Sequence, residues 1–364
     1  MHGILRRCLW NLVSKQQIAK QQIAKQQIAK QRIERVDEMK ITMAHGSGGK
    51  ASAELMTSIF EKHFKNDVLE KLEDAAVIEV SGRIAYSTDS FVVTPVIFKG
   101  GDIGKLCVCG TVNDLLMMGA QPKYLTCGFI LEEGLSLETL DQIVESMARQ
   151  AEVAGVKIVA GDTKVIEGSG GLYINTSGIG IIPEGRDISA ANCMHGDAVI
   201  LSGNLGDHHA CILSSRMGIE NNIQSDCACL ADITNVLFDA DINVKAMRDV
   251  TRGGLGTVLN ELADNSGCCI EIQETSMPIS DDVQGFCDIL GLDPIYMGNE
   301  GKMIAVIAAE DAQKALTLIK STEHGKDAAA IGVCKKGKGV VMVTRIGGSR
   351  VVDVLYGEGL PRIC

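Results

Sequence analysis

The sequence has 364 residues, of which 46% are hydrophobic and 22% charged, and its formal net charge is −11. This length allows two domains, whereas the acidic balance argues against a nucleic-acid-binding protein, which usually carries a basic surface. No apolar run reaches the roughly 18 residues that cross a membrane. The 13 cysteines form no Cys-x-x-Cys pair and accompany no secretory signal, so we interpret them as reduced, mainly core-packing thiols of a cytoplasmic protein.

Residues 1–42 differ in composition from the rest. A Lys-Gln-Gln-Ile-Ala unit repeats from Lys15, and isoleucine recurs every five residues from Ile18 to Ile33. Successive isoleucines would lie about 140° apart around a helix of 3.6 residues per turn, so they form no apolar stripe. We predict a low-complexity leader that is disordered or a frayed helix and has no catalytic role. A transit peptide is the alternative interpretation.

Alternating strand-like and helix-like segments fill the remainder, which predicts an α+β protein of two domains. We expect a first domain at 43–185 and a second at 186–345, joined at 183–196, with a last strand and a mobile tail at 346–364. Predicted helices follow Lys50 and lie at 103–119, 137–154, 207–217, 227–239, 255–265, 281–290 and 311–321. Predicted strands lie at 76–80, 84–87, 124–131, 157–160, 173–182, 198–202, 269–273, 303–308, 329–334, 340–343 and 351–354.

The segment His-Gly-Ser-Gly-Gly-Lys at 45–50 stands just before a predicted helix. Backbone N–H groups of Gly46, Gly48 and Gly49 can converge on an oxyanion there, beside Lys50 and the positive end of the helix. The segment is not a Walker A loop, because alanine occupies positions 44 and 51. It predicts a phosphate-binding loop, and a flexible entry loop is the alternative.

Three aspartates each follow an apolar run, namely Asp89, Asp114 and Asp162. We expect each carboxylate to project from the end of a rigid element and the three to hold Mg²⁺, which prefers hard oxygen ligands and bridges nucleotide phosphates. A turn or helix-cap role for each is the alternative. Lys164 lies two residues after Asp162, so an extended backbone would place both side chains on one side, where an ammonium can stabilise phosphoryl charge.

The second half adds two segments. Asp249-Val-Thr-Arg-Gly-Gly254 precedes a predicted helix and resembles a second oxyanion entrance. Asn299-Glu-Gly-Lys302 places Glu300 between small residues just before a predicted strand. The chain ends in Gly-Glu-Gly-Leu-Pro-Arg-Ile-Cys, so a terminal thiol, Cys364, stands on a pliable approach and is a candidate nucleophile.

Together these segments resemble the HypE family of hydrogenase maturation proteins, within the aminoimidazole ribonucleotide synthetase superfamily. The resemblance covers roughly residues 43–364. It is carried, in order, by AHGSGGK (44–50), STDSFVV (87–93), GGDIGKL (100–106), GTVNDLLMMGA (110–120), CGFILEEGL (127–135), GDTKV (161–165), LSGNLGDH (201–208), RDVTRGG (248–254), NEGK (299–302) and PRIC (361–364).

The resemblance implies N-terminal halves that pair into a dimeric β-barrel, a C-terminal α/β sandwich domain, and ATP bound near the interface of a homodimer. It implies an enzyme that dehydrates a carbamoyl group on its own Cys364 to a thiocyanate, using ATP and Mg²⁺. A HypF-like carbamoyltransferase would load the thiol. HypC/HypD-like iron-carrying scaffolds would receive the product as the cyanide ligands of the [NiFe]-hydrogenase iron centre.

Residue roles follow from the same resemblance. Cys364 would carry the substrate, Lys164 would stabilise developing charge, and Glu300 would act as the base, with Asp114 as its competitor. The remaining predicted site residues are the metal ligands Asp89, Asp114 and Asp162 and the nucleotide-binding residues Gly46, Gly48, Gly49, Lys50, Asn113 and Thr163. Two other functions stay open, a small-molecule synthetase or kinase of the superfamily and a docking or metal-handling module.

Overall fold

The computed structural model describes residues 40–71 and 75–355, so most of the predicted leader and the tail with Cys364 lie outside the described residues. Residues 40–42, which the sequence prediction assigned to the leader, pack on the first domain. The side chain of Ile41 is 1% exposed. Its backbone N–H donates to Leu135 O (2.7 Å), and its carbonyl accepts from Gly134 N (2.9 Å). The packed part of the first domain therefore includes these three residues.

The first domain is built around one sheet with helices on one face. Its strands are β1 (Arg83–Phe91), β2 (Ile97–Phe98), β3 (Gly101–Asp102), β4 (Gln121–Glu132), β5 (Lys157–Ile166) and β6 (Leu172–Ile182). Its helices are α1 (Lys50–Leu55), α2 (Lys62–Phe64), α3 (Ile103–Met117) and α4 (Leu137–Ala154), with a π-helical turn Met56–Glu61 between α1 and α2. The sheet order is β1-β6-β4-β5, and only β4 and β5 pair in parallel. Strands β1 and β5 are therefore opposite edges.

Helix α3 is apolar on nearly every side because it is enclosed by the sheet, by α4 and by the second domain. Its first turn is capped by Asp102, whose Oδ1 accepts from Lys105 N at 2.9 Å. Helix α4 is amphipathic, begins at the cap Ser136 and ends at Gly155, which has a φ of 68°. Its buried residues face α3, so the two helices form the layer that covers the inner face of the sheet.

The second domain contains a seven-stranded sheet. Its strands are β7 (Ala198–Leu201), β8 (Val244–Asp249), β9 (Cys269–Gln273), β10 (Met303–Ile307), β11 (Ala329–Lys335), β12 (Gly339–Val343) and β13 (Ser349–Val352), in the order β13-β12-β9-β11-β7-β10-β8. Its helices are α5 (Asp207–Met217), α6 (Ala231–Asp239), α7 (Gly254–Ser266), α8 (Asp281–Leu290) and α9 (Ala312–Lys320). Only β9 and β12 pair in parallel. This arrangement confirms the predicted α+β class.

Two predicted elements differ from the structure, and one strand of the second sheet was not predicted. Residues 76–80 form no strand, because no neighbouring backbone pairs with them. The helix predicted from residue 227 begins at Ala231, since residues 226–230 run as an irregular loop against the first domain. Strand β8 was missed, because polar residues interrupt its apolar pattern. Nine of the eleven cysteines in the described ranges are buried and all eleven are free thiols, which confirms the core-packing interpretation for that part of the chain.

The outer face of the first-domain sheet is uncovered within the described chain. Side chains at alternate positions on β1 point away from the helices, and Tyr86 and Ile84 are 65% and 47% exposed. Ile130 on β4 and Ile166 on β5 are 44% and 41% exposed. Exposed apolar side chains on a sheet face that the described chain leaves uncovered are typical of an interaction surface.

Candidate active site

A cavity of about 320 Å³ lies where the two domains meet, and its wall is strongly acidic. Residues from β1 and α3 form one side, and residues from the end of β8, the loop that follows it and the segment before β10 form the other. The lining residues are Thr88, Asp89, Ser90, Phe91, Gly110, Asp114, Asp249, Thr251, Arg252 and Glu300. Four carboxylates from two domains therefore share one cavity with one arginine.

The first-domain carboxylates are fixed by neighbouring hydroxyl groups. Ser87 Oγ donates to Asp114 Oδ2 at 2.5 Å, and Thr111 Oγ1 donates to Asp89 Oδ2 at 2.8 Å. Burial raises the pKa of Asp114; the Ser87 hydrogen bond opposes this rise, and the nearby Asp89 charge adds to it. A carboxylate whose pKa is raised towards neutrality is a stronger base, which suits proton abstraction.

Asp249, the last residue of β8, is a strongly perturbed carboxylate of the cavity. Burial, followed by repulsion from Asp114, raises its pKa to about 7. Two half-buried carboxylates that repel each other favour an arrangement in which one is protonated or a cation lies between them. The cavity therefore favours binding of a positively charged group.

Glu300 is held in the cavity wall by its backbone. Its N–H donates to Asp226 Oδ1 at 3.1 Å, and its carbonyl accepts from Ala228 N at 3.3 Å. The next residue, Gly301, has no room for a side chain, because a Cβ there would lie 1.9 Å from Asp226 O. Asp226 is itself buried and pairs with Lys302 at 3.3 Å. The Asn-Glu-Gly-Lys segment therefore places Glu300, which is 4% exposed, in one fixed position.

Asn113 connects the two domains. Its Nδ2 donates to Ala228 O at 3.0 Å, and its Oδ1 accepts from Leu230 N at 2.9 Å. The residue is 2% exposed and does not line the cavity. Contrary to the predicted nucleotide contact, its side chain ties helix α3 to the loop that also holds Glu300. This link aligns Asp114, the next residue on α3, with Glu300.

The other predicted phosphate-binding residues lie at the opposite edge of the sheet. Gly46 packs against β5, where a Cβ would lie 2.8 Å from Val165 Cβ, whereas Gly48 and Gly49 face open space. Lys50 is the first residue of α1 and forms an exposed ion pair with Glu54 at 3.5 Å. The Gly-rich loop therefore adjoins the Gly-Asp-Thr-Lys segment of β5.

On β5, Asp162 and Lys164 point to the same side, as their spacing predicts, and form an exposed ion pair at 2.7 Å. The hydrogen bond from Lys164 lowers the pKa of Asp162. Thr163 faces the other way and helps to line a smaller apolar cavity under the first helical segment, together with Phe60 and Phe129. Lysine, carboxylate and Gly-rich loop thus form a second group of candidate residues.

The prediction that Asp89, Asp114 and Asp162 form one group is wrong within a single chain. Strand β5 is three strands away from β1, which corresponds to about 14 Å at 4.8 Å per strand. The expectation that the carboxylates project from element ends is also wrong, because Asp89 and Asp162 lie within strands and Asp114 lies within α3. Strands β1 and β5 continue beyond the apolar runs from which they were predicted.

The residues can hold Mg²⁺ only with help from a substrate. Within residues 40–71 and 75–355, no three His, Cys, Asp or Glu side chains form a group that could hold a metal ion. Mg²⁺ at nucleotide sites commonly uses one or two carboxylates together with phosphate oxygens and water. Asp114 and Asp249 fit this smaller requirement, because a cation beside them would relieve their mutual repulsion. Sequence reasoning did not consider Asp249 as a candidate ligand, although it singled out its segment.

The raised pKa of Asp249 predicts how stability depends on pH in metal-free protein. Because the pKa in the folded state, about 7, exceeds the unfolded value, stability is present at low pH and is lost as pH rises through 7. We expect ionisation of Asp249 to lower the free energy of unfolding of the wild type by about 3 kcal/mol between pH 5 and pH 8. Asp249→Asn should abolish this fall. Urea unfolding in EDTA at both pH values measures this difference.

The matched control is Asp67→Asn, which removes an exposed carboxylate whose pKa is lowered by Lys157. This variant should keep the wild-type difference between pH 5 and pH 8. An Asp249→Asn protein that loses as much stability as the wild type over this range would contradict the assignment of the titration to the cavity.

Comparison with known proteins places this fold and site in a class. The family model for the N-terminal domain of AIR synthase related proteins matches residues 72–182, and the model for their C-terminal domain matches residues 195–344. The two-domain fold with a carboxylate-lined cavity at the junction is therefore that of an AIR synthase related protein. Within the described ranges, none of the helices is both long and apolar enough to cross a membrane.

More similar relatives narrow the class. A carbamoyl dehydratase HypE of Rhodobacter capsulatus is 46% identical over 335 residues, which cover 89% of this chain and 98% of that protein. A crystal structure of the hydrogenase maturation protein HypE in complex with ATP matches with a TM-score of 0.85 and 44% identity, over 88% of this chain and 99% of that chain. A HypE–HypF complex matches with a TM-score of 0.73 and 45% identity, over 83% and 99%. The chain belongs to the HypE family of carbamoyl dehydratases.

Proposed function

We propose that the chain dehydrates a carbamoyl group on its own Cys364 to a thiocyanate at the expense of ATP, and so supplies the cyanide ligands of the [NiFe]-hydrogenase iron centre. The observation that carries the proposal is the cavity in which Asp114 and Glu300 converge from two domains in a chain of the HypE family. The solved relative that binds ATP supports the choice of nucleotide.

The reaction converts a poor leaving group into a good one. The carboxamide oxygen attacks the γ-phosphorus of ATP, and ADP leaves. The carbon–oxygen bond of the phosphorylated amide then breaks, a carbon–nitrogen triple bond forms, and phosphate departs with the amide oxygen. Both N–H protons must be removed, and formally they end on the phosphate. A positioned base is therefore required, and such a group contributes about 10²- to 10⁴-fold to a rate.

Glu300 is the proposed base, because its backbone is fixed and its carboxylate lines the cavity. Asp114 is the competitor, since burial raises its pKa. Mg²⁺ bound beside Asp114 and Asp249, with Asp89 nearby, would neutralise charge on the phosphoryl group. Arg252, which lines the same cavity, supplies a second positive charge. These side chains also enclose the substrate, which limits competing hydrolysis of ATP.

A homodimer would complete this site. Lys164, Asp162 and the Gly-rich loop lie about three strands from the acidic cavity, too far to act with it in one chain. The uncovered face with Tyr86, Ile84 and Ile130 gives a second copy a surface on which to pack. In a barrel formed by two such sheets, the β5 edge of one chain lies beside the β1 edge of the other. The phosphate-binding residues of one chain then face the carboxylates of its partner.

The partners follow from the chemistry of the thiol. A HypF-like carbamoyltransferase loads Cys364, and the solved HypE–HypF complex supports this contact. The product thiocyanate needs an electron-rich iron acceptor, which we assign to HypC/HypD-like scaffolds. The need for a free thiol and a constant supply of ATP supports a cytoplasmic location for the reaction.

The proposal also requires that the tail reach the cavity. The nine residues from 356 to 364 span at most about 30 Å when extended. The last described residues lie beside Tyr296, which packs on Gly254 at the start of α7. The cavity-lining residues Thr251 and Arg252 immediately precede that glycine pair. A tail that starts there can therefore place Cys364 at the carboxylates.

Mass spectrometry of the tail tests the function directly. The purified protein is loaded by a HypF-type enzyme with carbamoyl phosphate and then given ATP and Mg²⁺. We expect the C-terminal peptide to gain a carbamoyl group and then to lose the mass of one water molecule. A Cys364→Ala protein is the negative control, because it lacks the thiol that carries the carbamoyl group. Loss of water without ATP, or a carbamoylated tail that stays unchanged with ATP, would contradict the proposal.

A further inference from the structure

The last described residues before the tail are held by two side chains of the second domain. Asn260 Nδ2, on α7, donates to Val352 O at 3.0 Å, and Tyr296 Oη donates to Asp353 O at 2.9 Å. The side chain of Val352 is buried, whereas residues 353–355 are exposed. Two successive backbone carbonyls are thus fixed immediately before the chain continues towards Cys364. We call this pair of contacts the exit clamp.

Tyr296 is itself seated against the part of α7 that begins at the cavity. A Cβ at Gly254 would lie 2.5 Å from the backbone carbon of Tyr296, and a Cβ at Gly256 would lie 2.6 Å from the Tyr296 ring. The absence of side chains at both glycines lets the tyrosine pack directly on the helix. Because Thr251 and Arg252 line the cavity just before these glycines, the exit clamp and the cavity wall share one rigid segment.

A third contact strengthens the same region. Arg350 Nη2 pairs with Asp293 Oδ2 at 2.7 Å, and Asp293 caps the short turn that carries Tyr296, since its Oδ1 accepts from Ile295 N at 3.2 Å. Strand β13 is therefore joined to the Tyr296 turn at 350, and the residue that follows the strand is joined to it at 353. None of these residues lines the acidic cavity, so they do not touch the reacting groups.

We propose that Tyr296 and Asn260 are positioning residues for the reaction, because they fix the point from which the substrate-bearing tail starts. This inference rests on the proposed function, in which Cys364 carries the substrate. For a tethered reactant, the local concentration at the site depends on the length of the tether and on where it is anchored. Release of the clamp would add residues 353–355 to the tether and leave its origin unfixed, so fewer excursions would deliver the thiol to the cavity.

The test uses the full chain with Tyr296→Phe and Asn260→Ala, singly and together. Each change removes one hydrogen bond, worth about a fivefold change in a local equilibrium. We expect the single-turnover dehydration of the carbamoylated tail to slow by about tenfold in the double variant. The KM for ATP should stay within about twofold, because the cavity is unchanged. Asn192→Ala is the control, since it removes a similar side-chain contact, to Asp187 O, and leaves both contacts of the exit clamp in place.

Amide hydrogen exchange of residues 353–355 provides a second readout that does not depend on catalysis. It should accelerate in the double variant and stay unchanged in the Asn192→Ala control. A double variant that dehydrates its tail at the wild-type rate would overturn the proposal, as would a parallel rise in the KM for ATP or unchanged exchange. If the wild type itself forms no thiocyanate, the proposed function fails, and the exchange data still show whether the exit clamp exists.

Discussion

Exchange of Glu300 for glutamine is expected to slow dehydration of the tail by about 10²- to 10⁴-fold. Glutamine has the same shape as glutamate and keeps the backbone contacts with Asp226 and Ala228, so the cavity wall should retain its position. What is lost is a group that can take a proton from the amide nitrogen. Single-turnover rates of the carbamoylated protein measure the effect, and calorimetric titration with ATP should give an unchanged affinity.

Two further variants make this result specific. Glu310→Gln removes an exposed glutamate in the same domain and should leave the rate unchanged. Asp114→Asn removes the competing base, and its effect relative to Glu300→Gln decides which carboxylate takes the proton. If Glu300→Gln dehydrates the tail within about fivefold of the wild type while Asp114→Asn is inactive, the base is Asp114.

Mixed dimers are expected to recover activity that neither parent protein has. Lys164→Ala should slow the reaction by about 10²- to 10³-fold, as loss of a charge-stabilising group does. If Lys164 acts with Glu300 of the partner subunit, a heterodimer of Lys164→Ala and Glu300→Gln chains contains one intact site. A 1:1 mixture that exchanges subunits freely should then reach about a quarter of wild-type activity, because half of the dimers carry one of two sites.

The control combines two changes in the same cavity. Heterodimers of Asp114→Asn and Glu300→Gln chains have no intact site, since both side chains line one cavity of one chain. Their mixture should remain inactive. The shared-site model would be refuted if Lys164→Ala and Glu300→Gln also failed to complement after subunit exchange was verified by mass. Each arm uses chains with two different affinity tags, so that the share of heterodimers in the mixture is measured alongside the assay.

The sequence predicted most of the framework, for reasons visible in single elements. The amphipathic pattern of α4, with a serine cap and a closing glycine, specifies its bounds without tertiary information, and the structure has it at Leu137–Ala154. Helix α3 was also recognised, because its apolar run is longer than a typical strand and therefore indicates a buried helix. Strand β8 was missed, since its register depends on pairing with β10, and such pairing is not encoded locally.

The site was predictable by residue type and less so by arrangement. The sequence identified Asp89, Asp114 and Glu300, which the fold brings into one cavity. It also grouped Asp162 with them, because spacing along the chain carries no information on the order of strands in a sheet. The role of Asn113 depends on a loop more than a hundred residues away, so no local pattern could distinguish a domain link from a nucleotide contact.

That link restricts how the enzyme can open. Many two-domain enzymes admit their substrates by hinge motion, but here both amide atoms of the buried Asn113 are bonded to the loop that supports Glu300. Rigid-body separation of the halves would break both bonds and expose apolar surface from the shared core. We therefore expect the nucleotide and the thiol to enter through an opening of the cavity that is present without domain motion. Turnover should accordingly be insensitive to viscogens that slow domain closure in hinged enzymes.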